Sequence, residues 1–280
     1  MTDFTARRAG FRVLHEGGCF VLPNPWDAGT ARYLRHLGFK ALATTSSGFA
    51  FSCGLPDGEA TVSRDRALGH IADIVTASDL PVNADFQSGY AANPEDVAES
   101  VRLCLATGVA GLSIEDATTD PHKPLYDLPV AIARIRAARA AIDASGTGAL
   151  LTARAECYLV QHPEPLKESI RRLTAFAAAG ADVLYAPGPH AREDIRAIVA
   201  AVAPKPVNIL MSADTGLTVA GLADLGVRRI SVGSALARAA WTGFIRAATT
   251  IANAGSFAGF DGSTSFAELN DFFRLDRANR

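Results

Sequence analysis

The stretch PVNADFQSGYAANPEDV, residues 81–97, reads as a buried strand that ends in a carboxylate and hands over to a helix. The apolar run closes at Asp85, Gln87 follows, and Ser88 and Gly89 turn the chain outward. Asn93 and Pro94, with Glu95 and Asp96 behind them, form a helix start. Asn accepts a bond from a first-turn N–H, Pro at the first helical position gives up no bond, and acidic residues complement the positive end of the helix dipole. In parallel α/β proteins the C-terminal strand tips are where chemistry collects. A short carboxylate there, beside a flexible Gly, suits a hard, oxygen-seeking cation such as Mg²⁺. A single Asp also caps turns; the cation reading gains weight because other predicted strands end in polar residues too.

Seven further apolar runs flank this one: GCFVL (18–22), FKALA (39–43), GLSI (111–114), LLTA (150–153), DVLYA (182–186), PVNIL (206–210) and RRISV (228–232). Helical stretches separate them, among them one capped by Ser63 and running to Ala77, one from Val130 to Ala144, and one from Pro165 to Ala179 that stops at Gly180. The runs are too continuous for half-exposed strands. Eight strand–helix units predict an α/β fold, a closed (β/α)8 TIM-type barrel. The alternative, a doubly wound open sheet, is weakened because no strand is followed by GxGxxG or a phosphate-loop pattern. Residues 2–15 predict an N-terminal helix able to plug the barrel floor. Residues 1–280 then form one domain, with 255–280 as a Gly-rich hinge and a C-terminal helix over 266–277. The apolar face of that helix (Phe266, Leu269, Phe272, Phe273, Leu275) needs covering, by its own barrel or by another subunit.

At 280 residues, 49% hydrophobic and 20% charged, the chain can bury a large core. A net charge of −2 argues against nucleic acid as a partner. No apolar run reaches the ~18 residues of a membrane span, and the first residues lack the apolar core of a signal peptide. Cys19, Cys53, Cys104 and Cys157 show no CxxC spacing, which argues against zinc and for a reducing, cytoplasmic compartment. Cys19 and Cys104 read as small buried hydrophobes.

In a barrel the strand tips converge on one mouth. The candidates there are Ser46, Ser47 and Gly48, Asp57, Asp85 and Gln87, Glu115 and Asp116, Arg154 and Glu156, Asn208 and Ser212. Carboxylates crowded together repel unless a cation sits among them. Mg²⁺ takes one or two carboxylates directly and keeps waters that others hold. Asp85 is the direct ligand in this reading, with Asp57 and Glu115 acting through water. Arg154 is a planar fork for a substrate carboxylate, and Ser47 with the Gly48 backbone faces an oxygen opposite the metal. Such a site fits a small dianionic 2-oxo acid, its oxo group polarised by the metal as an enolate forms. Each residue also has a plainer role: Asp57 as a turn residue, Glu115 and Arg154 as structural ion-pair partners.

Eight segments carry a family resemblance: NPWDAGTARYL (24–34), TTSSGFAFSCGLPDGE (44–59), NADFQSGY (83–90), SIEDA (113–117), LTARAECYL (151–159), ADVLYAPG (181–188), PVNILM (206–211) and GVRRISVGSAL (226–236). In order and spacing the sequence resembles the isocitrate lyase/phosphoenolpyruvate mutase superfamily. The resemblance implies a (β/α)8 barrel that often swaps its last helix, giving a homodimer or homotetramer. It implies Mg²⁺ (or Mn²⁺) near Asp85, with Asp57 and Glu115 acting through water, and a 2-oxo acid held by Ser47, Gly48 and Arg154. Two departures stand out. Gln87 replaces the second aspartate of the DxDxGY pattern and removes one negative charge. The loop from Asp116 to Asp127 has no cysteine, whereas the isocitrate and methylisocitrate lyases carry a KKCGH-type loop with a catalytic thiol. It also lacks the lysine- and asparagine-bearing pattern of phosphonopyruvate-forming mutases. His122 and Lys123 are its candidate acid/base groups; otherwise they are solvated loop charges. Cys157 either points to the mouth or packs. The expected function is an Mg²⁺-dependent lyase or decarboxylase acting on a 2-oxo dicarboxylate such as oxaloacetate. The alternatives are phosphonopyruvate-type P–C chemistry, or a 2-oxo acid binding protein without turnover.

Overall fold

A computed structural model describes residues 4–58 and 61–278. The chain divides into two compact units, Met1–Ser234 and Ala235–Arg280.

The first unit holds eight strands: β1 (Phe20–Leu22), β2 (Leu42–Ala43), β3 (Val82–Asp85), β4 (Gly111–Glu115), β5 (Leu150–Arg154), β6 (Val183–Tyr185), β7 (Val207–Leu210) and β8 (Arg229–Ser231). All pairings are parallel, in the order β1-β8-β7-β6-β5-β4-β3-β2. The Ala43 N–H donates to the Pro23 carbonyl at 3.0 Å, linking the two ends of that order. This is the (β/α)8 barrel.

Helices alternate with the strands: α1 (Thr5–Leu14), α2 (Ala28–His36), α3 (Ser46–Ser52), α4 (Arg64–Ala77), α5 (Pro94–Ala106), α6 (Leu128–Ser145), α7 (Pro165–Ala178), α8 (Arg192–Val202) and α9 (Val219–Asp224). Their starts follow local chemistry. Asn93 Oδ1 accepts from the Asp96 N–H at 2.9 Å ahead of Pro94. Ser63 caps α4, and Asp27 and Thr30 cap α2 reciprocally. Gly180, just past α7, takes φ +104, as a helix-ending glycine should. An element the sequence did not predict is α3, which occupies the strand tip read as a polar loop. Of the expected N-terminal helix, Thr2 and Asp3 lie outside the described residues. No described helix is long and apolar enough to cross a membrane.

Alternation along each strand sorts the side chains. Val82, Ala84, Leu112, Ile114, Leu151, Ala153, Leu184, Val207, Ile209 and Ile230 join the apolar core shared with the helices. The other set fills the barrel in layers. At the floor, Phe11 of α1 is fully buried against Leu22, Ala43, Leu150 and Val183, so the N-terminal helix does plug the barrel. Above it the interior is polar, with Asn83, Ser113, Thr152, Asn208 and Arg229 all buried. At the top stand Asp85, Glu115 and Arg154, with Glu115 and Arg154 side by side in the β4–β5 register.

The second unit holds α10 (Ala235–Ala254), a 3₁₀ turn (Ala258–Phe260) and α11 (Phe266–Ala278). Gly259 lets the turn seat on α10, since a Cβ there would lie 2.6 Å from Ala247 Cα. Ser265 and Glu268 cap α11 reciprocally. Phe266, Phe257 and Leu275 are 86%, 69% and 64% exposed, an apolar surface unusual on a lone chain.

Candidate active site

The tip of β3 places Asp85 at the centre of the mouth. Its Oδ2 accepts the Ser46 N–H at 2.9 Å and the Ser46 hydroxyl at 3.0 Å. Its Oδ1 lies 3.4 Å from Arg154 Nη1. The same nitrogen lies 3.2 Å from Glu115 Oε2. The other edge of the guanidinium is clasped by Glu156, through Nε to Oε1 and through Nη2 to Oε2 at 3.2 Å. Burial works against the charge of Arg154, but Glu156, Glu115 and Asp85 outweigh it and hold its pKa well above the usual range.

Glu156 is itself fixed. Its N–H donates to Asp116 Oδ1 at 2.9 Å, and Asp116 Oδ2 accepts from Arg172 Nη1 at 2.9 Å. Arg172 also donates to Glu168 Oε1 at 2.7 Å and to the Tyr126 carbonyl at 2.9 Å. A connected chain of bonds thus runs from Arg172 of α7 through the Asp116 carboxylate and the Glu156 backbone N–H to the side chain that clasps Arg154. Arg134 of α6, 1% exposed, donates to the Ala91 and Ala92 carbonyls at 2.7 and 2.6 Å and holds the turn after β3.

A cavity of about 340 Å³ opens above, lined by Ser46, Asp57, Gly58, Thr61, Gln87, Ser88, Glu115, Ala117, Thr118, Thr119 and Arg154. Asp57, Asp85, Glu115 and Arg154, far apart in sequence, therefore meet at one mouth. Burial raises the pKa of Asp57, as does the neighbouring Asp85 charge, while Arg154 pulls the other way. Gln87 sits at φ +48 with its Oε1 buried and without a hydrogen-bond partner among the described residues.

The other predicted residues lie elsewhere. Thr45 caps α3 and takes the Gly48 N–H on its hydroxyl at 3.2 Å, with Ser47 Oγ 3.4 Å from the same atom. Ser46, not Ser47 or Gly48, is the residue of this turn that lines the cavity. Asn208 is buried deeper, donating to Ser231 Oγ at 3.0 Å and accepting from Arg229 Nε at 2.8 Å. The His122 N–H bonds Asp120, and Lys123 Nζ bonds Asp127 at 2.6 Å; both lie on the exposed side of the loop. The loop instead turns Thr118 and Thr119 toward the cavity. Cys157 is fully buried, as is Cys104, whereas Cys19 is half-buried. Glu156 was visible at a strand tip, but the roles of Thr45, Arg134 and Arg172 had no signal beyond being polar residues beside a strand or on a helix.

Among the described residues no three His, Cys, Asp or Glu side chains form a ready metal cage. The mouth nevertheless gathers four carboxylates, Asp57, Asp85, Glu115 and Glu156, against the single Arg154. With the orphan carbonyl of Gln87 the donor set is all oxygen and in negative excess. That fits a hard divalent cation held by few protein atoms and several waters.

Residues 11–252 match the family model described as phosphoenolpyruvate phosphomutase. An uncharacterised protein of Mycobacterium tuberculosis is 34% identical over 79% of this chain and 80% of its own length. An oxaloacetate decarboxylase of Paraburkholderia xenovorans is 29% identical over 71% of this chain and 66% of its own. Among solved structures, a Burkholderia cenocepacia protein whose description goes no further than lyase/mutase superposes with a TM-score of 0.92 at 46% identity, covering 97% of both chains.

Proposed function

This chain belongs to the phosphoenolpyruvate phosphomutase family, within the isocitrate lyase/phosphoenolpyruvate mutase superfamily, and on that premise we propose that it is a divalent-metal-dependent lyase or decarboxylase for a small 2-oxo dicarboxylate such as oxaloacetate. It is an enzyme of that superfamily, whose members generally use a divalent metal such as Mg²⁺ and act on small molecules as oligomers. The observation that carries the reading is the single mouth in which a clamped arginine fork faces an acidic wall of oxygen ligands.

Asp85 is the residue that would hold the cation directly, with Asp57, Glu115 and Gln87 holding its waters. Bound there, the cation supplies Lewis-acid polarisation of the oxo group. Arg154 orients the substrate carboxylate, and Glu156 keeps the guanidinium from turning away. The Ser46 N–H and hydroxyl fix the Asp85 carboxylate so that it need not reorganise as charge develops. Thr61, Thr118 and Thr119 wall the cavity with hydroxyls. None of the described lining residues is a thiol, an imidazole or an ammonium, so the enolate left by bond cleavage would take its proton from water or from a lining carboxyl such as Asp57, whose pKa burial raises. That favours decarboxylation over chemistry needing a cysteine acid. The chain acts as a homodimer or homotetramer, a second copy covering the exposed aromatic residues of α11.

Purified protein with Mg²⁺ and a panel of 2-oxo diacids should form pyruvate, or its homologue, from at least one. Silence across the panel would refute the assignment, and a diacid that raises Tm without being consumed would show binding without turnover. Phosphonate chemistry is the second reading, supported by the family description and by a 26% identical carboxyvinyl-carboxyphosphonate phosphorylmutase of Arabidopsis thaliana. Only that activity shifts the phosphorus NMR signal of phosphonopyruvate.

A further inference from the structure

Beneath Asp85 and Arg154 the barrel holds a second, smaller chamber of about 50 Å³. At ~10–15 Å³ per water-sized sphere it holds a few small particles and cannot admit a 2-oxo diacid. Its lining carries three charged side chains, Asp85, Arg154 and Arg229, a sum of +1 from two arginines and one aspartate.

Arg229 is 2% exposed, and its partners are all neutral. Nε donates to Asn208 Oδ1 at 2.8 Å, Nη2 donates to Thr152 Oγ1 at 3.0 Å, and Nη1 lies 3.4 Å from His15 Nε2. His15 Nδ1 is 2.7 Å from the Phe11 carbonyl, which places the ring proton there and leaves Nε2 as the acceptor. Burial, then the charge of Arg229, lowers the His15 pKa to about 3, so the ring is uncharged. Asp85, the one carboxylate on the chamber lining, is already bonded to Ser46 and Arg154. Arg229 therefore has no carboxylate partner among the described residues. Burial pulls its own pKa down to about 9, which still leaves it a cation at neutral pH. Buried charges in proteins are otherwise paired or neutralised by an ion, because an isolated one is costly.

We propose that the chamber binds one small monovalent anion, a halide such as chloride, against Arg229. A guanidinium has five N–H donors, and three are committed here, so two remain for the anion. The Thr44 hydroxyl accepts the Asp85 N–H at 2.9 Å and keeps its own proton to offer. A water beside the anion satisfies Asn83 Oδ1, which is buried and has no partner among the described residues. None of this depends on which substrate the mouth takes.

The full chain, unfolded and refolded in sodium gluconate, is titrated with sodium bromide or chloride at constant ionic strength. Tm should rise saturably by ~2–3 °C at tenfold above Kd. Crystals grown in bromide should give an anomalous peak beside Arg229. Arg229→Met should lose both responses. Since that variant may fail to fold, Asn83→Leu keeps the arginine, fills the chamber and should lose them too. Halides no better than gluconate, a chamber filled only by water bridging Arg229 and Asp85, or an undiminished halide response in Asn83→Leu would overturn the assignment.

Discussion

Glutamine in place of Glu156 keeps the side-chain volume and removes the charge that clasps Arg154. Two guanidinium nitrogens, Nε and Nη2, reach the two carboxylate oxygens, and the Glu156 side chain is 5% exposed. A carboxamide offers one acceptor, and its NH₂ confronts the second arginine N–H. One charge-assisted bond is lost and one buried donor is left facing another, a cost of ~2–3 kcal/mol. The backbone stays in place because its N–H remains on Asp116. The cost therefore falls on the orientation of Arg154, which is still drawn to Glu115 and Asp85. At 1.4 kcal/mol per decade, kcat/KM for the 2-oxo acid should drop about 30- to 150-fold. KM should rise more than kcat falls, because Arg154 holds the substrate before and during reaction. The assay is steady-state kinetics with Mg²⁺, with Tm measured on the same preparation. A kcat/KM within about threefold of the parent at unchanged Tm would refute the clasp as a positioning device.

Three further outcomes are expected. Gln87→Asp should tighten Mg²⁺ binding about tenfold by calorimetry, since it adds a charge where the Gln87 carbonyl lacks a partner, and Asp tolerates the left-handed φ of +48; an unchanged or weaker Kd would count against the metal site. His70 stacks on Phe49 at 3.9 Å between ring centroids, and burial, opposed by Asp73 and Asp27, lowers its pKa to about 4. The unfolded chain then binds the extra proton from about pH 6.5 down to 4, so this stability contribution is lost as pH falls through that window, by up to ~1.4 kcal/mol per pH unit. The raised carboxylates Asp57, Asp116 and Glu156 act in the opposite sense, gaining stability as pH falls from their folded values down to the ordinary carboxylate range, so the comparison is between variants. The pH–stability curve of His70→Gln should be flatter than the parent's, and parallel curves would refute this. Gly111→Ala should lower the urea midpoint by an amount worth ~1–3 kcal/mol, because its Cβ would meet the Leu150 carbonyl at 2.9 Å and the Phe11 ring at 3.0 Å; an unmoved midpoint would mean the barrel floor has slack.

The eight strands were legible because each is a short apolar run between turn residues. Their ends were read one to three residues too long where a Gly, Pro, Lys or Asp flanks the run, as at Gly18 and Phe39. Helix α3 was not legible. Its sequence, SSGFAFS, has weak intrinsic helix propensity. The Thr45 cap and the burial of Gly48 and Ala50 hold it as a helix. That helix turns Ser46 rather than Ser47 toward Asp85. Arg229 and Arg172 gave no warning of burial, since a charged residue at a strand edge or on a helix usually reads as solvated. The loop residues His122 and Lys123 show the reverse. Their chemistry suited catalysis, but the loop's own bonds, Lys123 to Asp127 and His122 to Asp120, hold them on its outer side.

By itself the sequence determined the strand–helix rhythm and the kind of side chain at each strand tip, because both depend on local periodicity and on residue chemistry. Tertiary structure decided which of those side chains meet. The pairing of Glu115 with Arg154, and the burial of Arg229 without a carboxylate partner, follow from the register between strands and from closure of the barrel. Register is a relation between distant segments, and neither segment carries a mark of it.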